Sequence, residues 1–297
     1  MTVLLALITV VFFGTWIPVS QAVPGVPQRV RTFYAGVGNL VLASFALLAG
    51  GGHLSLGWRQ FWLPLVGGVV WTAGSFAAFR GAATIGLARA AGTWTPLNII
   101  TSFVWGALLF DELNRLSASR FAVLGAGLVI VVVGVLLIVG SEEPGGVAPD
   151  SGGVGTFGRG IMWATAAGFL WGSYFVPAQW ARVPSQVGNF PLALGILVAG
   201  AALVVPGGES IRLRPKVTLV QLSAGLLFGI GNLALLSLVT RVGTGVGFTI
   251  AQLSLLVNAG IGMWVFEVPK PGSPASRRVL AGILVAGSGG VLIGVLK

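Results

Sequence analysis

Phe13-Gly14-Thr15-Trp16-Ile17-Pro18-Val19-Ser20-Gln21 lies inside the first apolar run of the chain and returns in mid-chain as Trp171-Gly172-Ser173-Tyr174-Phe175-Val176-Pro177-Ala178-Gln179. Gly14 and Gln21 both recur 158 positions on, while the proline slips by one. A second echo pairs Trp71-Thr72-Ala73-Gly74-Ser75, with Gly86 downstream, to Gly229-Ile230-Gly231-Asn232, with Gly243 downstream, at a spacing of 157. A third pairs Phe110-Asp111-Glu112 with Phe266-Glu267, glutamate to glutamate 155 apart. Three echoes in one order at nearly one spacing mark a duplicated half.

Hydrophobic residues make up 55% of the 297 and charged residues 8%, and the mean hydropathy is +0.96. Such a chain lacks the polar surface that a water-soluble globule of this length shows. It reads as an all-α integral membrane protein. A hydrocarbon core of about 30 Å needs about 20 apolar residues per helix. Spans are expected near 2–22, 30–50, 61–79, 82–110, 121–140, 158–180, 190–205, 217–239, 245–266 and 279–296, which makes ten. The continuous apolar runs exclude a β-barrel, whose strands are short and alternate. The 47 glycines suit close approach of helix backbones in lipid. The first span has no basic segment before it, and its phrase recurs where nothing is cleaved, so it is a span rather than a signal peptide.

The polar stretch beginning Ser141-Glu142-Glu143-Pro144-Gly145-Gly146 divides the chain into a first five-helix repeat over 1–140, a linker over 141–157 and a second repeat over 158–297. Five is odd, so the second repeat enters the membrane from the opposite face. The repeat is expected to be inverted, with the solute site near the midplane between its halves. Loops 1-2, 3-4, 5-6, 7-8 and 9-10 hold ten of the lysines and arginines and the other side six. The positive-inside rule then places both termini outside the cytoplasm. The formal charge of +10 comes from basic residues scattered singly, not from a basic face, so no nucleic-acid partner is expected.

Catalytic readings fare poorly. The single histidine, His53, falls in a loop, there is no cysteine, and no Gly-x-x-x-x-Gly-Lys-Ser/Thr run cradles ATP phosphates. No enzyme activity, metal or cofactor is expected. No Asp or Glu falls at the middle of a span, so proton coupling finds no midplane carboxylate to carry it. Asp111, Glu112 and Glu267 sit at span ends, where acidic groups cap helices and pair with loop arginines. Arg89 opens the fourth span, where it either faces a cavity or snorkels to the interface.

The spans hold neutral amides and aromatics instead. Carboxamides donate and accept, which suits hydroxyl groups, and an indole face suits the C–H face of a pyranose. The candidate solute-binding set is Trp16, Gln21, Asn39, Trp71, Arg89, Trp94, Asn98, Tyr174, Gln179, Asn189, Asn232, Gln252 and Asn258. Intramembrane amides also join helices to one another, and aromatic residues collect at the membrane interface, where Trp105 is expected. Pro18, Pro96 and Pro177 each remove an amide donor within a span and should kink or break it. Spans five and ten, nearly all small and aliphatic, read as packing or as a dimer face; the oligomeric state is left open.

The motifs together resemble the glucose/ribose porter group of the drug/metabolite transporter superfamily, which includes bacterial glucose-uptake permeases and, more distantly, the rhamnose permease. The resemblance covers the whole chain. It is carried by Phe13 to Val19 and its copy, by Trp71 to Ser75, by Ile85-Gly86-Leu87-Ala88-Arg89-Ala90, and by Gly231-Asn232 followed by Gly247-Phe248-Thr249-Ile250-Ala251-Gln252-Leu253. Ser20-Gln21 stands where relatives often carry a basic pair. The resemblance implies ten helices in two inverted repeats and a secondary transporter of the bacterial cytoplasmic membrane moving a neutral polar solute, a glucose-like monosaccharide, by alternating access. An exporter of amino acids or other small metabolites, or a membrane-embedded ligand sensor or scaffold, are the other readings.

Overall fold

The computed structural model describes residues 1–50, 56–85, 87–112, 117–140, 154–265 and 270–294. They form twelve α-helices and no strand: α1 (Thr2–Gln21), α2 (Gln28–Ala49), α3 (Trp58–Ile85), α4 (Leu87–Phe110), α5 (Ala118–Val139), α6 (Val154–Trp171), α7 (Val176–Trp180), α8 (Ser185–Val204), α9 (Pro215–Val242), α10 (Thr244–Gln252), α11 (Ser254–Trp264) and α12 (Pro274–Gly294). Nine stretches among the described residues are long and apolar enough to cross a membrane, with α10 and α11 forming one of them. The expected sixth span is the pair α6 and α7. The chain is an all-α membrane protein.

Helix α5 shows why. Val131, Val135 and Ile138 are buried, yet Val129, Val133 and Leu136 on its other side are exposed. A helix apolar on both faces has no stable place at a water boundary, so its outer face meets lipid.

Two expected spans are interrupted. Helix α6 stops at Trp171 and the chain turns through 172–175 before α7. Pro177 has no N–H to give the Ser173 carbonyl one turn back, and that carbonyl accepts from Val176 N instead, at 3.0 Å. A tight turn thus leads into α7, with Pro177 in its first turn. Pro18 acts differently: α1 runs on through it to Gln21. Pro96 likewise lies inside α4. A break without a proline falls at Leu253, whose N–H bonds to Ile250 O at 3.0 Å. The boundary expected at 82 moves, because 82–85 continue α3 and α4 begins at Leu87. The linker residues 141–153, His53 and Glu267 lie outside the described residues, and 154–157 already belong to α6.

The helices gather into two compact units, Met1–Ser75 with Ser173–Arg241, and Phe76–Gly172 with Val242–Lys297. Each takes chain from both sequence halves. In the first, α2 packs along α8, and α2 meets α9 so closely that a Cβ on Gly38 would stand 2.5 Å from the Gly225 carbonyl carbon. In the second, α5 packs along α12, where a Cβ on Gly289 would stand 2.8 Å from both Gly127 O and Val131 N. Glycine at these crossings lets van der Waals packing hold helices together where no hydrophobic effect acts between them.

Candidate functional site

The first unit carries a hydrogen-bonded chain of buried side chains from four elements. The phenol of Tyr174, in the turn before α7, donates to Asn232 Oδ1 at 2.9 Å. Asn232 on α9 donates through Nδ2 to Asn189 Oδ1 at 2.7 Å, and Asn189 on α8 donates to Asn39 Oδ1 on α2 at 3.2 Å. The three asparagines are fully buried and Tyr174 is 4% exposed. Every group in this chain is neutral at pH 7. It ends at Asn39 Nδ2, which is buried without a hydrogen-bond partner. A buried amide donor left unpaired costs about 1–3 kcal/mol.

Beside this chain lies an aromatic cluster. Phe228, one helical turn before Asn232 on α9, is the ring the others meet. Its centroid is 4.7 Å from that of Trp71 on α3, 5.2 Å from Trp16 and 5.7 Å from Phe13, both on α1. Trp16 and Trp71 are 6.2 Å apart. Trp16 stays half-buried. Gly229 joins the two groups, since a Cβ there would stand 2.9 Å from Asn39 Oδ1. Apolar ring faces and fixed amides therefore adjoin, the pairing that neutral polyols with C–H faces require.

The end of α1 is held by polar contacts that the sequence did not single out. Ser20 Oγ donates to Gln221 Oε1 at 2.7 Å, and Gln221 Nε2 returns a bond to Ser20 O at 2.9 Å. Arg31 also donates to Ser20 O, and to Val23 O at 2.7 Å and Val26 O at 3.0 Å. Ser20 O is among the carbonyls that the helix end leaves open, and Val23 O and Val26 O belong to the loop that follows. Trp16, one turn earlier, is positioned by that anchor.

Other candidates lie elsewhere. Gln21 is exposed, while its neighbour Ser20 turns inward. Gln179 lines a separate, small cleft with Phe175, Ser185, Gly188, Leu236 and Thr240 among its walls. Ser185 there shares a 2.7 Å hydrogen bond with Ser237. In the second unit, Trp94 meets Trp171 edge-on at 5.6 Å, and Asn98 is buried with Oδ1 unpartnered. Gln252 on α10 and Asn258 on α11 are half-buried. Arg89 falls in the first turn of α4, and its side chain lies outside the described residues. Trp105 is half-buried against Phe169, 6.4 Å between centroids. Glu112 caps α10 by accepting from Thr244 N and, at 3.2 Å, Gly245 N.

Phe13, Phe228, Ser20 and Gln221 were absent from the candidate set. Phe13 was within reach, since it opens the repeated phrase. Phe228 is one of 17 phenylalanines in an apolar chain, and nothing local sets it apart.

A family model described as sugar transport protein matches residues 4–296. A Listeria innocua protein named for sugar uptake is 23% identical over 297 residues, covering 100% of this chain and 99% of that one. The glucose uptake protein GlcU of Bacillus subtilis is 22% identical over 302 residues, covering 100% and 99%. One crystal structure superimposes with a TM-score of 0.74 at 18% identity, covering 99% of this chain and 98% of the other, a likeness of fold alone. With the family match running almost end to end over a membrane-spanning helical chain, this protein belongs to the sugar transport protein family.

Proposed function

We propose that the chain takes up a neutral monosaccharide, glucose or a close relative, across the cytoplasmic membrane of a bacterium by alternating access. The observation that carries this reading is the Tyr174–Asn232–Asn189–Asn39 chain beside Trp16, Trp71 and Phe228. Three carboxamides and a phenol offer hydroxyl-matching groups with no formal charge, and the indoles offer flat apolar faces. The names of the Listeria and Bacillus relatives support a sugar cargo. The duplicated phrase supports an inverted repeat, which in secondary transporters is the frame for alternating access. No cofactor is needed, and no carboxylate sits within the amide chain to couple protons.

Counterflow of labelled glucose in proteoliposomes tests the reading. Labelled glucose should accumulate transiently against unlabelled glucose trapped inside, and other monosaccharides should compete where amino acids do not. Counterflow of labelled amino acids with none of glucose would favour an amino-acid transporter instead. Quenching of tryptophan fluorescence by glucose without counterflow would establish a sensor.

A further inference from the structure

We propose that Asn39 donates a hydrogen bond to an acceptor oxygen of the transported sugar, at the end of a bonded chain that runs from Tyr174 through Asn232 and Asn189. The inference rests on the sugar reading above and adds the polarity of one contact.

A carboxamide can present either end, so its direction is set by its neighbours. Here the direction runs one way along the whole chain. The Tyr174 hydroxyl donates to Asn232 Oδ1, which leaves the Asn232 amino group for Asn189 Oδ1, which leaves the Asn189 amino group for Asn39 Oδ1. Each carboxamide oxygen of the chain accepts one bond, and the amino group left with no partner is Asn39 Nδ2, in a fully buried residue. Away from water, a fixed donor distinguishes strongly between an arriving acceptor and anything else. Asn39 also lies against Gly229, the residue after Phe228. The aromatic cluster thus adjoins the residue that carries the donor. A hydroxyl or ring oxygen satisfies it; an ammonium group, which only donates, does not.

Polarity of this kind is read with paired analogues. A deoxy sugar loses both donor and acceptor at one carbon, whereas a deoxyfluoro sugar keeps a weak acceptor and loses only the donor. In counterflow with the wild-type chain, one ring position should rank hydroxyl over fluoro over deoxy. The deoxy analogue should compete about three- to tenfold less well than glucose, the range of one neutral hydrogen bond. Asn39→Ser should flatten the ranking at that position and leave other positions unchanged. Tyr174→Phe should flatten it too, because Asn232 is then free to turn; it carries the test if Asn39→Ser does not elute as a folded species. If glucose moves but no position shows the ranking, or fluoro falls as far as deoxy at every position, the inference is overturned. Survival of the ranking in Asn39→Ser overturns it equally. Absence of glucose counterflow in the wild type would instead remove the sugar reading beneath it.

Discussion

At Asn232 one side chain serves two neighbours, accepting from Tyr174 and donating to Asn189. Asn232→Leu therefore strands a buried hydroxyl and a buried carbonyl oxygen, each costing about 1–3 kcal/mol. Glucose uptake should fall at least about tenfold, and the melting temperature in detergent should drop. Replacement that left both unchanged would mean the chain neither binds nor holds. Trp16 answers differently, being half-buried and anchored from behind by the Ser20–Gln221 pair. Trp16→Ala should raise the half-saturation concentration about three- to tenfold, the worth of an aromatic face, while Trp16→Phe keeps most of the affinity. Asn39, Asn189 and Asn232 were legible in the sequence because an amide is conspicuous in an apolar span. Gln21 stands out for the same reason, an amide on an apolar run, but α1 ends there and leaves it exposed, apart from the buried amides. One residue of register at a helix end decides between Ser20 and Gln21, and no composition argument resolves one residue.

Among the elements, the two copies of the repeated phrase behave unequally, although each carries a proline. Pro18 lies one turn from the end of α1, and the helix runs on through it to Gln21 although the Gly14 carbonyl loses its usual donor. Pro177 also lies one turn from the end of its span, yet there the chain turns through 172–175 and the freed Ser173 carbonyl accepts from Val176 N. The interruption was legible at Pro177; the break at Leu253 was not, because no proline marks it. Glu112 shows the same limit. Its place at the end of the fourth span suggested a cap, but the helix it caps, α10, begins 132 residues later, a pairing that only folding brings about. Glu112→Ala leaves Thr244 N and Gly245 N without that acceptor and should destabilise the protein by about 1–2 kcal/mol, read as a lower melting temperature. Glu112→Gln, which keeps one acceptor oxygen, should lose less. Gly134→Leu provides a contrast in the same unit, since its backbone lies against Ala286 and the larger side chain must part α5 from α12. It should be among the most damaging substitutions, although it touches no polar group.

Over the whole molecule, duplication was legible in sequence and compact packing was not. The sequence echoes propose halves at 1–140 and 158–297 as units of ancestry, whereas each packed unit draws helices from both. Spacing along the chain records the first, and only side-chain contact across long separations creates the second. Inversion of the repeat remains a matter of topology, and the chain suits its own test because it contains no cysteine. Ala22 and Arg182 are both exposed and follow the two copies of the repeated phrase. If the copies run in opposite directions, these residues stand on opposite faces of the membrane. The positive-inside count puts the loop after α1 in the cytoplasm and the loop after α7 outside. In intact cells a membrane-impermeant maleimide should label Arg182→Cys at once and Ala22→Cys only after permeabilisation. Labelling of both from the same side would require an even number of crossings between them and would remove the inverted repeat. Labelling in the reverse order would keep the inversion and turn the molecule over, with both termini in the cytoplasm. The ten-to-six loop charge count predicts the first result, and because each substitution lies outside the proposed pocket, glucose counterflow in the same variants should verify that the labelled protein is the working one.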